Sequence, residues 1–77
     1  MTIKIRTFGR ITEIVGFSES TLNEVRDTQK LLDLLHEKFP ELQNLKCLIA
    51  VNKKQIWENT PLHDQDEVAL MPPFSGG

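Results

Sequence analysis

The chain opens on an alternation of apolar and polar residues. From Thr2 to Phe8, Ile3, Ile5 and Thr7 fall on one face and Lys4, Arg6 and Phe8 on the other, the period of a half-buried strand. Gly9 breaks it. In the following Arg10-Ile11-Thr12-Glu13-Ile14-Val15-Gly16, the spacing of Ile11, Ile14 and Val15 predicts about two turns of helix. Gly16 stands where a left-handed C-terminal cap belongs, with Phe17 free to pack back. Ser20 to Val25 reads as a second strand from a partly alternating pattern. A longer helix follows, N-capped by Asp27 or Thr28, in which Leu31, Leu32, Leu34, Leu35 and Phe39 occupy an arc of about 160°. Pro40 stops it, and a loop runs through Gln43 and Asn44. Cys47 to Val51 is a nearly continuous apolar run, as expected of a largely buried strand. Asn52-Lys53-Lys54 turns, and Gln55-Ile56-Trp57 returns with Trp57 half-buried. The turn formers of Pro61 to Asp66 lead into a last strand, Glu67 to Met71.

One long helix laid on one face of a small mixed sheet is the simplest way to bury these apolar faces, so the order predicts a two-layer α+β domain over residues 1–77. A chain of 77 residues hides only somewhat over 60% of its unfolded surface, which leaves one small core and no deep internal active site. Composition is that of a soluble globular protein, with no membrane-length apolar run and no signal-peptide pattern, and a cytoplasmic location is the expectation. A net charge of −2 and scattered Lys and Arg do not suggest a nucleic-acid binder.

Few residues offer chemistry. The single cysteine, Cys47, excludes an internal disulfide, and its apolar surroundings predict a core role. His36 lies at the edge of the helix's apolar arc and His63 in a loop, neither at metal-ligand spacing from a partner. Asp64, Asp66 and Glu67 cluster without the ordered oxygen ligands of a metal loop and read as turn formers. No metal site and no Gly-rich phosphate loop is expected. The distinctive stretch is Pro72-Pro73-Phe74-Ser75-Gly76-Gly77. The prolines end the ladder, and the residues after Phe74 taper to nothing larger than a hydroxymethyl group, so 72–77 is expected to be a flexible tail. Fully extended it would reach roughly 20 Å, enough to enter a partner's site. Taken alone, Ser-Gly-Gly is equally an ordinary frayed end.

The chain resembles the MoaD/ThiS family of ubiquitin-like sulfur carriers, and within it most closely the branch of small subunits that serve molybdopterin synthesis. The resemblance rests on Phe8 to Gly16 after the first strand, on Ala50-Val51-Asn52, and on Pro61-Leu62 through Asp66-Glu67-Val68-Ala69 into Met71-Pro72-Pro73-Phe74-Ser75-Gly76-Gly77. It implies a β-grasp (ubiquitin-like) fold of about five strands with the first and last side by side and parallel. It further implies that Gly77, preceded by Gly76, is adenylated by a ubiquitin-activating-type adenylyltransferase (MoeB-like) that uses ATP, then thiocarboxylated. The chain itself would bind no cofactor. The tail would deliver sulfur to cyclic pyranopterin monophosphate inside the large subunit of molybdopterin synthase (MoaE-like), in a heterotetramer whose catalytic pocket belongs to that large subunit. Docking is expected through Phe8, Leu70, Pro72, Pro73, Phe74 and Ser75. Gln65 departs from the glycine that many relatives have between the two acidic residues of that turn. Three alternatives stay open: a carrier for thiazole synthesis, a ubiquitin-like modifier of lysines, and a β-grasp binding module with no covalent role.

Overall fold

The computed structural model describes residues 1–73. Strand β1 (Thr2–Thr7) leads through Gly9 into helix α1 (Arg10–Val15), and β2 (Glu19–Asn23) returns antiparallel to β1. Helix α2 (Thr28–Lys38) follows, then a 3-10 helix (Pro40–Asn44), the hairpin β3 (Leu48–Val51) and β4 (Lys54–Ile56), and last β5 (Glu67–Met71). The sheet runs β2-β1-β5-β3-β4. Among the described strands only β1 and β5 pair in parallel, with Ile5 opposite Val68 and Thr7 opposite Leu70. A mixed five-stranded sheet with its first and last strands adjacent at the centre and one main helix on one face is the β-grasp arrangement.

Local chemistry accounts for the elements. Gly16 caps α1 in the left-handed region at φ 81°, its N–H donating to the Thr12 carbonyl. Asp27, in extended conformation, caps α2 by accepting from the Lys30 N–H at 2.8 Å. The core joins Ile3 and Ile5 of β1, Val68 and Leu70 of β5, Ile11 and Val15 of α1, and Leu31 and Leu35 of α2, closed by Val25, Leu42 and Leu62. Among the described residues the two buried polar side chains, Thr7 and Thr28, are satisfied. Thr7 Oγ1 meets Thr12 Oγ1 at 2.9 Å and donates to the Phe17 carbonyl, and Thr28 Oγ1 accepts from the Thr60 N–H at 3.0 Å.

Four expectations change. Pro40 ends α2 but also opens the 3-10 helix, because a proline at a first helical position loses no hydrogen bond there, and Leu42 on that turn is buried. Leu34 is exposed, because the α2 stripe that meets the sheet centres on Leu31 and Leu35 and is narrower than the leucine arc. Of β3 only Ala50 is buried, and it lies beside Ala69 on the face away from the core, whereas the core-facing Ile49 and Val51 remain half-covered because the strand is flanked on one side by the three-residue β4. The β3–β4 turn takes just Asn52 and Lys53, both at positive φ, which pairs Val51 with Lys54 and shifts β4 one residue towards the N-terminus. Trp57 therefore lies past the strand end, 82% exposed rather than half-buried.

Candidate functional site

The site is built where β5 ends. In β5 the period of two sends Val68 and Leu70 into the core and Ala69 and Met71 to the opposite face, which no helix covers. Arg6 of β1 lies opposite Ala69, and Ala50 of β3 pairs with Ala69 from the other side. Phe8, just beyond β1 and 44% exposed, completes with Met71 a shallow apolar depression on this open face. Charged and polar groups ring it: Arg6, Lys53, Gln55 and Glu67. The Arg6 guanidinium is held between carboxylates, 3.1 Å from Glu19 and 3.9 Å from Glu67.

The ladder closes at this corner. Phe8 N–H donates to the Leu70 carbonyl at 3.1 Å, and Pro72, without an N–H, extends β5 no further. Pro72 is half-buried and Pro73 exposed. Of the expected docking residues, Phe8, Pro72 and Pro73 thus lie at one corner of the sheet. Phe74, Ser75, Gly76 and Gly77 lie outside the described residues. Leu70 is corrected: it is fully buried, on the inward parity of β5, and offers a partner no side chain. Ala69 and Met71 take its place on the open face. The signal for them was in the sequence, since a strand that buries Val68 and Leu70 must turn Ala69 and Met71 outward.

The other candidate groups have structural settings. Cys47 is half-buried against the core, and loss of hydration raises its thiol above the ordinary range, away from the nucleophilic thiolate. The acidic cluster organises a turn. Asp66 accepts from Asn52 Nδ2 at 3.0 Å and from the His63 N–H at 2.8 Å, while Asp64 accepts from the Thr2 N–H at 2.7 Å, and both carboxyls are held below their usual range by these bonds. Among the described residues, no three His, Cys, Asp or Glu side chains converge as a metal site would require, and no helix is long and apolar enough to cross a membrane.

A β-grasp sheet whose central β5 runs out beside β1 into Pro72-Pro73, next to an uncovered apolar face, defines a ubiquitin-like protein. The chain belongs to the ThiS family, whose model matches residues 5–77. It is 37% identical over 79 residues to the molybdopterin synthase sulfur carrier subunit of Arabidopsis thaliana, covering 97% of this chain and 82% of that one. Among solved structures it resembles a chain in the complex of subunits 1 and 2 of the molybdopterin-converting factor from Helicobacter pylori 26695. That likeness has 35% identity, full coverage of both chains and a TM-score of 0.75. It also resembles small archaeal modifier protein 1 of Methanosarcina acetivorans, with 25% identity, 99% and 96% coverage and a TM-score of 0.82.

Proposed function

We propose that this chain carries sulfur as a thiocarboxylate on Gly77 and donates it to the dithiolene of molybdopterin as the small subunit of molybdopterin synthase. The observation that carries the reading is the reach of the family match, which runs through Gly76-Gly77 and not only through the sheet. An α-carboxyl titrates near about pH 3.5 and is an anion at neutral pH, a poor electrophile and a poor nucleophile. A ubiquitin-activating-type adenylyltransferase would first join it to the α-phosphate of ATP, releasing pyrophosphate. A sulfide-level donor then attacks the acyl carbon, and AMP departs with the bridging oxygen. The thiocarboxylate is anionic and soft. Its sulfur forms a C–S bond to a side-chain carbon of cyclic pyranopterin monophosphate in the large subunit as that carbon's C–O bond breaks, the oxygen leaving as water or with the phosphate, and water then cleaves the acyl–sulfur bond, leaving sulfur on the pterin and restoring the carboxylate.

Two sulfurs per product fit an assembly of two small and two large subunits, with the catalytic acids and bases in the large one. In this reading the open face around Phe8, Ala69 and Met71 docks both partners, the activating enzyme and the large subunit, in turn. The absence of a Cβ at Gly76 and Gly77 lets a narrow site close around the acyl group. A second reading, a ubiquitin-like modifier, draws on the likeness to the archaeal modifier protein; Gly77 would then end in an isopeptide bond to a lysine.

Intact mass after incubation with ATP, an activating enzyme and a sulfur source tests the proposal. Full-length chain is expected to exchange one oxygen for sulfur, and a variant with one residue added after Gly77 is expected to stay unloaded while folding normally. Loading of the extended variant would overturn the assignment to the Gly77 carboxyl. Recovery of Gly77 attached to a lysine would favour the second reading.

A further inference from the structure

The sheet has two edges, and they are unlike. β4 is three residues long, and its pairing with β3 around the Asn52-Lys53 turn directs the backbone groups of Lys54 and Ile56 to β3, so that within the strand only Gln55 turns its N–H and carbonyl outward. Lys53 and Lys54 add charge there. Short length and lysines are the usual protection of a sheet edge. At the other edge β2 has neither. It is five residues long, its register with β1 runs from Asn23 to Glu19 without a bulge, and it contains no proline or lysine. Its one charge, Glu19, is paired with Arg6 at 3.1 Å. Among the described residues no strand lies beyond β2, and of its residues only Leu22 is partly covered.

The phase of the ladder fixes which backbone groups are free. Thr7 N–H donates to the Ser18 carbonyl at 3.0 Å, and Glu24 N–H donates to the Met1 carbonyl at 3.1 Å. The even positions between them, Ser20 and Leu22, therefore bond to β1, and Glu19, Thr21 and Asn23 turn both backbone groups away from the sheet. One antiparallel register satisfies all of them on a second copy of the chain. It sets Thr21 opposite Thr21, Glu19 opposite Asn23 of the second copy, and Asn23 opposite its Glu19, each pair exchanging both backbone bonds. The side chains agree with it. Asn23 Oδ1 accepts from Thr2 Oγ1 at 3.2 Å, which leaves the amide NH2 to donate across the contact to the Glu19 carboxylate of the second copy. No like charges stand directly opposite, and threonine facing threonine is a favourable cross-strand pair.

We propose that β2 is a self-association edge, on which a second copy of this chain adds its own β2 in that register. The two-fold axis of an antiparallel pair stands perpendicular to the sheet, so two five-stranded sheets join into one, with both α2 helices on one side and both open faces on the other. Phe8, Ala69 and Met71 stay uncovered, because the contact runs edge to edge and covers neither face. Two strands of this length bury little surface, so the dimer is weak and reversible and forms as concentration rises.

Sedimentation equilibrium from micromolar to millimolar concentration, set beside amide hydrogen exchange, tests the pairing. Mass is expected to rise towards that of two chains, and the amides of Glu19, Thr21 and Asn23 to gain protection with concentration while that of Gln55 does not. Thr21→Pro removes an outward N–H without costing a bond to β1, so it is expected to weaken association at least about tenfold. Asn23→Asp keeps an acceptor for Thr2 Oγ1 but sets a carboxylate opposite Glu19 of the second copy, twice in each dimer, and is expected to weaken association about 3- to 30-fold. Adding Glu19→Gln should restore it to within about threefold of wild type, and this rescue stays informative if Thr21→Pro folds poorly. A chain that stays monomeric at millimolar concentration, a dimer unmoved by Asn23→Asp, or failure of the rescue would overturn the proposal. So would protection of the three amides only after the large subunit is added, which would give the edge to a strand of that partner instead.

Discussion

Gln65 shows how a single residue can sit against its own preference. The turn His63 to Asp66 is closed by the Asp66 N–H to the His63 carbonyl at 3.0 Å, and its third residue, Gln65, has φ 71°. That is the position of such a turn where glycine is favoured, and a Cβ there costs about 1 kcal/mol or somewhat more. Gln65 N–H also donates to the Thr2 carbonyl at 2.7 Å, which ties the turn to the start of β1 and holds the strained conformation. Gln65→Gly should relieve the strain, less the extra freedom gained by the unfolded chain, for a net stabilisation of up to about 1 kcal/mol. The urea midpoint reads this, and a lower midpoint would show that the position is unstrained. Beside it, Asp66 is held below the ordinary carboxyl range first by Asn52 Nδ2 and then by the His63 N–H. A depressed folded-state pKa contributes stability that is present above the unfolded value of about 3.9 and is lost as pH falls through the folded value. Stability is therefore expected to fall as pH drops below about 4. Asp66→Asn should flatten that part of the pH profile and cost about 1–2 kcal/mol at neutral pH through its lost hydrogen bonds.

At the scale of elements, the β1 alternation, the α1 stripe and the α2 cap were legible because each is decided within a few residues of sequence. Ile3, Ile5 and Thr7 do face the core, Gly16 does cap α1, and Asp27 does cap α2. What was not legible depends on partners far along the chain. Leu42 is buried because the 3-10 helix after Pro40 folds under the domain, and Trp57 is exposed because a turn of two residues rather than three sets the β4 register. At the open face, the exposure of Phe8 follows from its even parity in β1, and the burial of Leu70 follows from the same alternation in β5. Substitution separates the two. Leu70→Ala, at a side chain of zero exposure, should destabilise by about 2–5 kcal/mol. Phe8→Ala should change stability by less than about 1 kcal/mol and weaken partner binding instead. Thermal unfolding set beside binding to the large subunit checks both, and a Phe8→Ala variant with normal affinity would remove Phe8 from the interface.

For the whole molecule, the decisive asymmetry is between two exposed apolar regions. One is the open face at the exit of β5, where Phe8 and Met71 flank Ala69 within a ring of both charge signs, Arg6 and Lys53 against Glu67. The other is Trp57, at the end of β4 near the start of α2, beside a groove that includes Cys47 and Leu32. Exposure alone favours Trp57, but of the two it is the first region that is continuous with Pro72 and Pro73. A partner that must act on the C-terminal carboxyl has to hold the domain near that exit, and an apolar centre with a charged rim is the arrangement of a specific, reversible interface. Ala69 lies at its centre, so Ala69→Arg adds bulk and charge on a face with no core beneath it. It is expected to reduce binding to the activating enzyme and to the large subunit at least about tenfold, with Tm nearly unchanged. Trp57→Ala, altering stability by no more than about 0.5 kcal/mol, should leave both affinities and sulfur loading at wild-type values. The opposite pattern, normal affinity in Ala69→Arg and loss in Trp57→Ala, would move the docking surface to the β4 edge and leave Phe8 and Met71 without a partner.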